Sequence, residues 1–354
     1  MRENEYNCEI INENKNMENS HYLNRRKFIS TLISAAIATG LYPISSMASM
    51  KLNKGKMPTR PLGKTGYRVG MFSLGGQATI EIPGKEDQAE AIIHRALDLG
   101  VNYIDTSAYY GRPPQGEEQT PFQGTSERNI GRVLKHRRSE VFLATKTHDR
   151  SYDGAMRHLE KSLNNLQTDK IVLWQIHNVR DAENEDIEKI FAEDGVLKAM
   201  LKAQEEGIVK YLGITGHQSP DRLRILLERF PFDAVLTAVN AADKHYDPVI
   251  EKLLPTATDM NVGIIGMKIP ARDRIFSHGG IITMKQAIDY VLTLPVSTII
   301  IGCDTIGELE ENVEITKNFK PLSVNEMLEI EELTKPYYKD LQFFKGLSQW
   351  PQDW

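Results

Sequence analysis

The chain has 354 residues, of which 40% are hydrophobic and 26% are charged, a composition that is ordinary for a globular protein and sufficient for one substantial core. The formal net charge of -5 gives no reason to expect a nucleic-acid partner. The two cysteines, Cys8 and Cys303, lie far apart in the chain, so we expect neither a structural disulfide nor a metal site.

The N-terminal segment is typical of an export signal. Arg25 and Arg26 precede a moderately apolar run over residues 28–42, and Ser46 and Ala48 offer small side chains at the two positions that a signal peptidase reads. We therefore expect residues 1–48 to be a twin-arginine (Tat) signal recognised by the Tat translocation machinery, with cytoplasmic folding, cleavage near Ala48 and a periplasmic product. The alternative is a transmembrane anchor, but about 15 diluted apolar residues fall short of the roughly 20 needed to cross a bilayer, so no stable anchor is expected.

A short linker, residues 49–57, leads into a repeating pattern. Residues 58–69 carry Gly63 and Gly66 around a turn between extended pieces, which predicts a hairpin. Strand and helix patterns then alternate, as in a parallel α/β fold, and eight strands are the number that a closed barrel needs. The predicted strands are residues 70–74, 102–105, 141–145, 171–175, 211–215, 234–239, 263–267 and 297–301.

Amphipathic stretches with helical spacing lie between the strands. The predicted helices are residues 87–99, 126–134, 152–166, 186–206, 220–229, 248–260, 283–294 and 306–319. No Gly-x-Gly-x-x-Gly motif opens a helix, so the alternative α/β architecture, a doubly wound sheet, lacks its main phosphate-binding signal. Residues 321–354 are rich in aromatic residues and are expected to form an irregular tail.

Four polar residues follow or end three successive strands. Asp105 ends the second predicted strand, Tyr110 lies five positions later before Gly111, and Lys146 and His177 follow the next two strands. At the C-terminal mouth of a parallel barrel this is where enzymes keep their chemistry. Hydride transfer to a carbonyl leaves an alkoxide-like oxygen that must be protonated. An aspartate, a tyrosine, a lysine and a histidine are suited to that task. Tyr110 serves as the acid, Lys146 favours its phenolate, Asp105 keeps Lys146 charged, and His177 positions the oxygen.

Each of these residues also has a structural interpretation when taken alone. Tyr110 before a glycine is typical of a turn, Asp105 could form an Asx-type turn, Lys146 could be a solvated strand end, and His177 could be a hydrogen-bonded core residue.

The sequence resembles the aldo-keto reductase superfamily. The resemblance rests on Asp105 and Tyr110-Gly111, the run Ser-Glu-Arg-Asn-Ile-Gly at 126–131, and the strand-borne Lys146 and His177, and it extends from about residue 60 to about residue 319. It implies a (β/α)8 TIM barrel over residues 58–354, with the β-hairpin at the barrel bottom and the C-terminal tail near the mouth. It also implies that Tyr110, Asp105, Lys146 and His177 are catalytic and that a nicotinamide cofactor binds across the mouth.

The resemblance further implies cofactor contacts after the fifth and seventh strands. The family's Ser-Asn pair, which holds the nicotinamide carboxamide, is matched by Thr215 and Gly216, followed by His217; the hydroxyl is kept and the amide is lost. An aromatic residue that stacks on the nicotinamide ring is matched by Met267, whose sulfur can lie on a ring face, followed by Lys268.

The last implied cofactor segment follows the eighth strand. Its residues are Gly302, Cys303, Asp304, Glu308, Glu311 and Asn312. Relatives that prefer NADP place a lysine and an arginine near Gly302 and Glu308, whereas this segment has the acidic Asp304 and Glu308. Carboxylates repel a 2′-phosphate and can accept a hydrogen bond from a free 2′-hydroxyl, so between NAD(H) and NADP(H) we favour NAD(H). The alternative is that both acids belong to an ordinary helix first turn capped by Thr305.

Three functions are compatible with the sequence. The first is an NAD(P)-dependent oxidoreductase that interconverts an aldehyde or ketone, such as a sugar or another polar carbonyl compound, and its alcohol. The second is an exported oxidoreductase or epimerase that keeps its nicotinamide bound and recycles it internally. The third is a catalytically weak cofactor-binding barrel.

Overall fold

The computed structural model describes residues 57–111, 124–180, 185–276, 280–281 and 283–348. The predicted signal and nearly all of the predicted linker therefore lie outside the described residues. Among the described residues, those up to 321 and those from 330 onward belong to one compact unit that contains the barrel, and residues 322–329 fall in a second unit.

Strands β1 (Thr59–Pro61) and β2 (Arg68–Gly70) form the predicted antiparallel hairpin. Its turn lies against the start of a barrel strand, because the Lys64 amide donates to the Asn261 carbonyl over 2.8 Å. Tyr67 packs edge-on against Phe142 at 5.1 Å between ring centroids, and Phe142 stacks on Tyr103 at 5.0 Å. Phe142 and Tyr103 are the first residues of their strands, so the hairpin sits at the N-terminal end of the barrel, as expected.

Eight parallel strands close into a barrel in the order β10-β3-β4-β5-β6-β7-β8-β9. The strands are β3 (Phe72–Gly75), β4 (Tyr103–Asp105), β5 (Phe142–Thr147), β6 (Ile171–Ile176), β7 (Val209–Gly216), β8 (Ala234–Ala238), β9 (Gly263–Met267) and β10 (Thr298–Ile301). The predicted TIM-like fold is confirmed. The first predicted strand ran across a boundary, since Gly70 ends the hairpin and the barrel strand begins at Phe72.

The helices lie between the strands and after the last one. They are α1 (Glu86–Asp98), α2 (Thr125–Arg137), α3 (Tyr152–Leu166), α4 (Glu185–Phe191), α5 (Val196–Glu205), α6 (Pro220–Arg229), α7 (Val249–Lys252), α8 (Leu254–Asp259), α9 (Met284–Thr293), α10 (Ile306–Lys317), α11 (Val324–Thr334) and α12 (Tyr338–Leu341). None of the helices among the described residues is both long enough and apolar enough to cross a membrane.

Two helices that were predicted as continuous are each divided. The stretch 186–206 breaks between α4 and α5 at Gly195, where a Cβ would lie 2.4 Å from the Lys189 carbonyl oxygen. The stretch 248–260 breaks between α7 and α8, where Pro255 occupies the start of the second helix and lacks an amide to continue the first.

The expectation of an irregular tail was wrong. Residues 324–334 form α11, and a short helix and a 3-10 turn, Phe343–Lys345, follow it. The helical spacing of Met327, Ile330, Glu331 and Thr334, all of them buried, was obscured by the many aromatic residues further along the tail.

Candidate active site

The C-terminal ends of β4, β5 and β6 bring the four predicted polar residues together. The Lys146 Nζ atom donates to the Asp105 carboxylate, to the Thr106 carbonyl over 2.7 Å and to the Tyr110 hydroxyl over 3.4 Å. The Lys146 side chain has no exposed surface. The Lys146 ammonium therefore lies between the Asp105 carboxylate and the Tyr110 phenol, as predicted from the sequence.

Gln175 completes the environment of Asp105, and the sequence analysis missed it. Its Nε2 donates to Asp105 Oδ1 over 3.0 Å, so both carboxylate oxygens have a donor. Gln175 stands two residues before His177 at the end of β6, and alternate residues of a strand share a face. That spacing was the signal that could have identified it.

The loop that carries Tyr110 is held by the start of α2. The Tyr110 amide donates to the Ser107 carbonyl and the Ser126 amide donates to the Tyr110 carbonyl, both over 3.0 Å. The Ser126 hydroxyl also lies 2.8 Å from that of Thr106. The buried Glu127 carboxylate accepts from Thr145 Oγ1 over 2.7 Å. The run 126–131, which contributes to the family resemblance, therefore fixes the loop.

His177 lies beside Tyr110 at the mouth. Their ring centroids are 6.4 Å apart and the rings are perpendicular. The His177 amide donates to the Thr147 carbonyl over 2.8 Å, and its carbonyl accepts from Arg150 Nη1 over 2.7 Å. These contacts fix the backbone, while His177 Nδ1 is buried and has no hydrogen-bond partner within the part of the chain that the structure describes. The imidazole can therefore still bind another molecule.

Burial and charge set the protonation of this group. Burial raises the pKa of Tyr110, and the Lys146 ammonium offsets only part of that rise. Lys146 thus acts in the expected direction, but desolvation has the larger effect. Burial alone would lower the pKa of Lys146, yet Asp105 and Tyr110 outweigh it and raise that pKa. Burial lowers the pKa of His177 well below its ordinary value. At neutral pH the site presents a phenol, an ammonium and a neutral imidazole.

Glu81 is a second residue that the sequence analysis missed. It ends the 3-10 turn Ala78–Glu81 that follows β3 and is 5% exposed. Its charge is close enough to contribute to the raised pKa of Tyr110 and to oppose the lowering of the pKa of Lys268. Its sequence neighbours give no periodic signal, so only the folded turn reveals its position.

The residues after β7 differ in how well they could bind a carboxamide. Thr215 Oγ1 is buried and has no hydrogen-bond partner in the described ranges, which suits an amide ligand. Gly216 packs against α6, since a Cβ there would lie 3.1 Å from the Leu223 side chain, which would have to move by a few tenths of an ångström to admit one. His217 Nδ1 lies 2.9 Å from Asn178 Oδ1.

The residues after β9 place a methionine and a lysine at the mouth. Met267 is buried, and Lys268 is half-buried with a positive φ of 60°. Burial lowers the pKa of Lys268 to about 7, and Arg272 adds to this effect. The unpartnered oxygen of Thr215 and the Lys268 amine, which is partly protonated at neutral pH, together fit a nicotinamide cofactor: Thr215 would hold its carboxamide and Lys268 its anionic part.

The segment after β10 forms its own hydrogen bonds. Gly302 comes close to the preceding loop, since a Cβ would lie 3.2 Å from the Gln77 carbonyl oxygen. Asn312 Nδ2 donates to the buried Cys303 Sγ over 3.8 Å, so these two residues contact each other. Glu311 is exposed on α10. Contacts of all these residues with a cofactor stay predictions.

The acidic residues of this segment also cap α10. The Glu308 amide donates to Thr305 Oγ1 over 3.1 Å, and Glu308 Oε2 accepts from the Asp304 amide over 2.8 Å. Asp304 Oδ1 accepts from Thr79 Oγ1 over 3.2 Å. The alternative of a capped first turn is therefore present, but Asp304 and Glu308 are both exposed and their charge remains at the mouth. No cluster of three or more metal-binding side chains occurs among the described residues.

Comparison with known proteins gives the family. Residues 68–272 match the model of the aldo/keto reductase family. L-galactose dehydrogenase of Arabidopsis thaliana is 27% identical over 337 residues, covering 83% of this chain and 99% of that protein. An uncharacterized oxidoreductase, YqkF of Bacillus subtilis, is 23% identical over 326 residues, covering 80% of this chain and 97% of that protein.

A solved structure shows the same fold. The aldo-keto reductase AKR11C1 from Bacillus halodurans, in its holo form, superposes with a TM-score of 0.62 at 23% identity, covering 78% of this chain and 96% of that one. The family match covers more than half of the chain and includes all four polar residues of the mouth. The chain therefore belongs to the aldo/keto reductase family and is an NAD(P)-dependent oxidoreductase that acts on carbonyl substrates.

Proposed function

We propose that the protein interconverts a polar, hydroxylated aldehyde or ketone, such as a sugar, and its alcohol, with Tyr110 as the general acid and base. The observation that carries this proposal is the 3.4 Å hydrogen bond from Lys146 Nζ to the Tyr110 hydroxyl, beside a His177 imidazole with a free nitrogen. When bound, the nicotinamide supplies a hydride to the carbonyl carbon or accepts one from the alcohol.

In the reducing direction the carbonyl oxygen gains negative charge and takes the phenolic proton of Tyr110. The resulting phenolate lies against the Lys146 ammonium, which Asp105 keeps charged. His177 donates to the same oxygen and holds it within reach of Tyr110. The proposal is tested by assaying a panel of sugars and simple aldehydes, with oxidation of the reduced cofactor as the readout. If the protein turns over none of these compounds, the proposal is contradicted.

We propose that the cofactor is NAD(H). Asp304 and Glu308 carry their negative charge close to Asp273, whose pKa is raised by burial and then by those two carboxylates. Three carboxylates at this edge oppose a 2′-phosphate, which carries up to two negative charges. Residues 302–312 contain no lysine or arginine.

The first prediction concerns this preference. We expect a higher kcat/KM with NADH than with NADPH, and we expect Glu308→Arg to raise kcat/KM for NADPH at least tenfold by supplying a cation for the phosphate. Glu160→Arg, the same charge change at an exposed position of α3, is the matched control. A tenfold preference of the wild-type enzyme for NADPH would overturn the assignment.

A second candidate, an enzyme that retains and recycles its cofactor, is favoured by the C-terminal strap, residues 338–345. Lys345 Nζ donates to Asp243 Oδ1 over 3.0 Å, and both side chains are almost fully buried. It also donates to the carbonyls of Tyr246 and Asp247 over 3.0 and 2.8 Å. All three acceptors lie on the loop after β8.

The strap is also attached to the loop after β9. Arg274 pairs with Asp340 over 2.7 Å, and its guanidinium lies 4.5 Å from the centre of the Phe343 ring. Loops that follow barrel strands lie at the same end as Tyr110, so the strap is fastened beside the expected cofactor. A segment held by a buried ion pair opens rarely, because separating the pair leaves a charge buried.

The second prediction follows from this attachment. If this second candidate is right, the purified protein carries bound nicotinamide and Lys345→Met speeds its dissociation at least tenfold, measured by loss of cofactor fluorescence after dilution. Lys339→Met, at an exposed position of the same strap, should leave that rate within twofold. If the wild-type protein is purified without cofactor and added cofactor dissociates within the mixing time, the enzyme does not retain its cofactor. The first candidate, a reductase that exchanges its cofactor freely, would then remain.

We also propose that the protein is exported through the Tat pathway and acts in the periplasm after cleavage near Ala48. The support is the Arg25-Arg26 pair and the apolar run that follows it. Immunoblotting of cell fractions, with an Arg25→Lys, Arg26→Lys variant as control, should show a shortened wild-type protein in the periplasm and a full-length variant in the cytoplasm. Wild-type protein found only in the cytoplasm with residues 1–48 intact would reject export.

A further inference from the structure

Two aromatic side chains continue outward from His177. The ring of His148, the residue directly after β5, has its centroid 4.1 Å from that of His177. The Tyr109 ring lies 3.8 Å from that of His148, and Tyr109 is 38% exposed. These ring contacts connect the catalytic group to an exposed residue, and neither Tyr109 nor His148 has a role in the chemistry proposed above.

His148 keeps an unused hydrogen-bonding atom. Its backbone amide donates to His158 Nδ1 over 3.3 Å, which fixes the main chain. Its side-chain Nδ1 is buried and has no hydrogen-bond partner within the described ranges. A buried polar atom without a partner costs free energy, which a ligand can recover.

The charge state of His148 restricts what that ligand can be. Burial lowers the pKa of His148 to about 2, with further contributions from Lys146, His158 and Arg150. The imidazole is therefore neutral, with one nitrogen as donor and the other as acceptor. A hydroxyl group can satisfy either nitrogen, whereas a carboxylate or phosphate gains no opposite charge from it.

The position of His148 relative to the reacting oxygen gives the part of the substrate involved. If the carbonyl oxygen lies between Tyr110 and His177, then His148, whose ring lies 4.1 Å from that of His177, is close enough to meet the part of the substrate nearest the carbonyl. We propose that His148 selects substrates that carry a hydroxyl group on the carbon beside the reacting carbonyl, with the Tyr109 ring covering the same part of the substrate. This inference rests on the proposed carbonyl chemistry and narrows it to α-hydroxy aldehydes and ketones.

The test compares 2-hydroxypropanal with propanal, which differ only in that hydroxyl group. We expect the wild-type enzyme to favour 2-hydroxypropanal. In His148→Phe we expect kcat/KM for 2-hydroxypropanal to fall about 10- to 100-fold, mainly through KM, because one hydrogen bond to a buried group is lost. Propanal lacks the hydroxyl group, so its kcat/KM should stay within threefold. His148→Gln keeps a donor and an acceptor and should restore part of the preference.

The outcomes separate the inference from its alternatives. Equal losses for the two aldehydes in His148→Phe would show that the ring only supports the loop of Tyr109 and Tyr110, and would overturn the inference. Unchanged values would overturn it as well. His136→Phe, at an exposed position of α2, controls for the substitution itself. A wild-type enzyme that reduces neither aldehyde nor any sugar would contradict the proposed function, which is a different failure.

Discussion

Tyr110→Phe is expected to lower kcat by about 100- to 10,000-fold, the range that one general acid contributes, while cofactor affinity stays within twofold. The variant keeps the ring and removes only the hydroxyl that lies 3.4 Å from Lys146 Nζ. The carbonyl oxygen then loses the phenolic acid that protonates it, although the residues proposed to hold the cofactor are unchanged. Steady-state kinetics and a fluorescence titration with NADH measure the two effects.

Tyr67 provides a matched control at the opposite end of the barrel. Its hydroxyl also lies 3.4 Å from a lysine, Lys210, but it belongs to the region of the hairpin. Tyr67→Phe should retain at least half of the wild-type kcat. A wild-type rate in Tyr110→Phe would remove Tyr110 from the mechanism.

Lys146→Met is expected to lower the free energy of unfolding by about 3–5 kcal/mol, the usual cost of removing one partner of a buried ion pair. Lys146 is fully buried and Asp105 is almost fully buried, so the variant removes the cation from the Asp105 carboxylate and leaves it, within the described part of the chain, with the Gln175 amide as its donor. Urea denaturation followed by circular dichroism measures the change. Lys202→Met, which removes two exposed ion pairs, with Glu205 and Glu206, should leave the free energy of unfolding almost unchanged.

A double variant separates folding from chemistry. Lys146→Met combined with Asp105→Leu removes both charges, and replacement of a whole buried pair by apolar residues is often close to neutral. We expect most of the lost stability to return while activity does not. A double variant that is less stable than Lys146→Met would show that the pair does not control stability in this way.

Sequence patterns were sufficient for the barrel and for the four polar residues of its mouth. Alternating strand and helix patterns have a fixed topological consequence, because parallel strands bring all their C-terminal ends to one side. Asp105, Lys146 and His177 follow or end such strands, so their proximity needed no knowledge of tertiary packing. The hairpin was predictable in the same way from its turn glycines.

Other features depended on contacts that no local pattern encodes. The breaks at Gly195 and Pro255 follow from close packing and a missing amide inside stretches with continuous helical spacing. The pair of Lys345 with Asp243 joins residues about a hundred positions apart, and a buried lysine is the reverse of what composition leads one to expect. The contacts of the His148 ring with the rings of Tyr109 and His177 likewise appear only when separate loops meet.

In the cofactor segments, the family resemblance predicts contacts with the nicotinamide cofactor, and the local structure supports some of these contacts better than others. Gly216 lacks the expected amide, and the Leu223 side chain lies close to the space that a side chain there would need. Cys303 and Asn312 bond to each other. Thr215, in contrast, keeps a buried hydroxyl oxygen without a partner in the described part of the chain, so the hydroxyl is the stronger of the two implied carboxamide contacts.

The central claim is that this mouth protonates a carbonyl oxygen as a hydride reaches the carbonyl carbon. The most direct test is transfer of deuterium from NADH that carries two deuterium atoms at C4 of its nicotinamide. Incubated with the protein and 2-hydroxypropanal, this cofactor should place one deuterium on the carbinol carbon of the product diol, seen by NMR, and Tyr110→Phe should do so at least 100-fold more slowly. An alcohol product without deuterium, or an equal rate of transfer in Tyr110→Phe, would contradict the account.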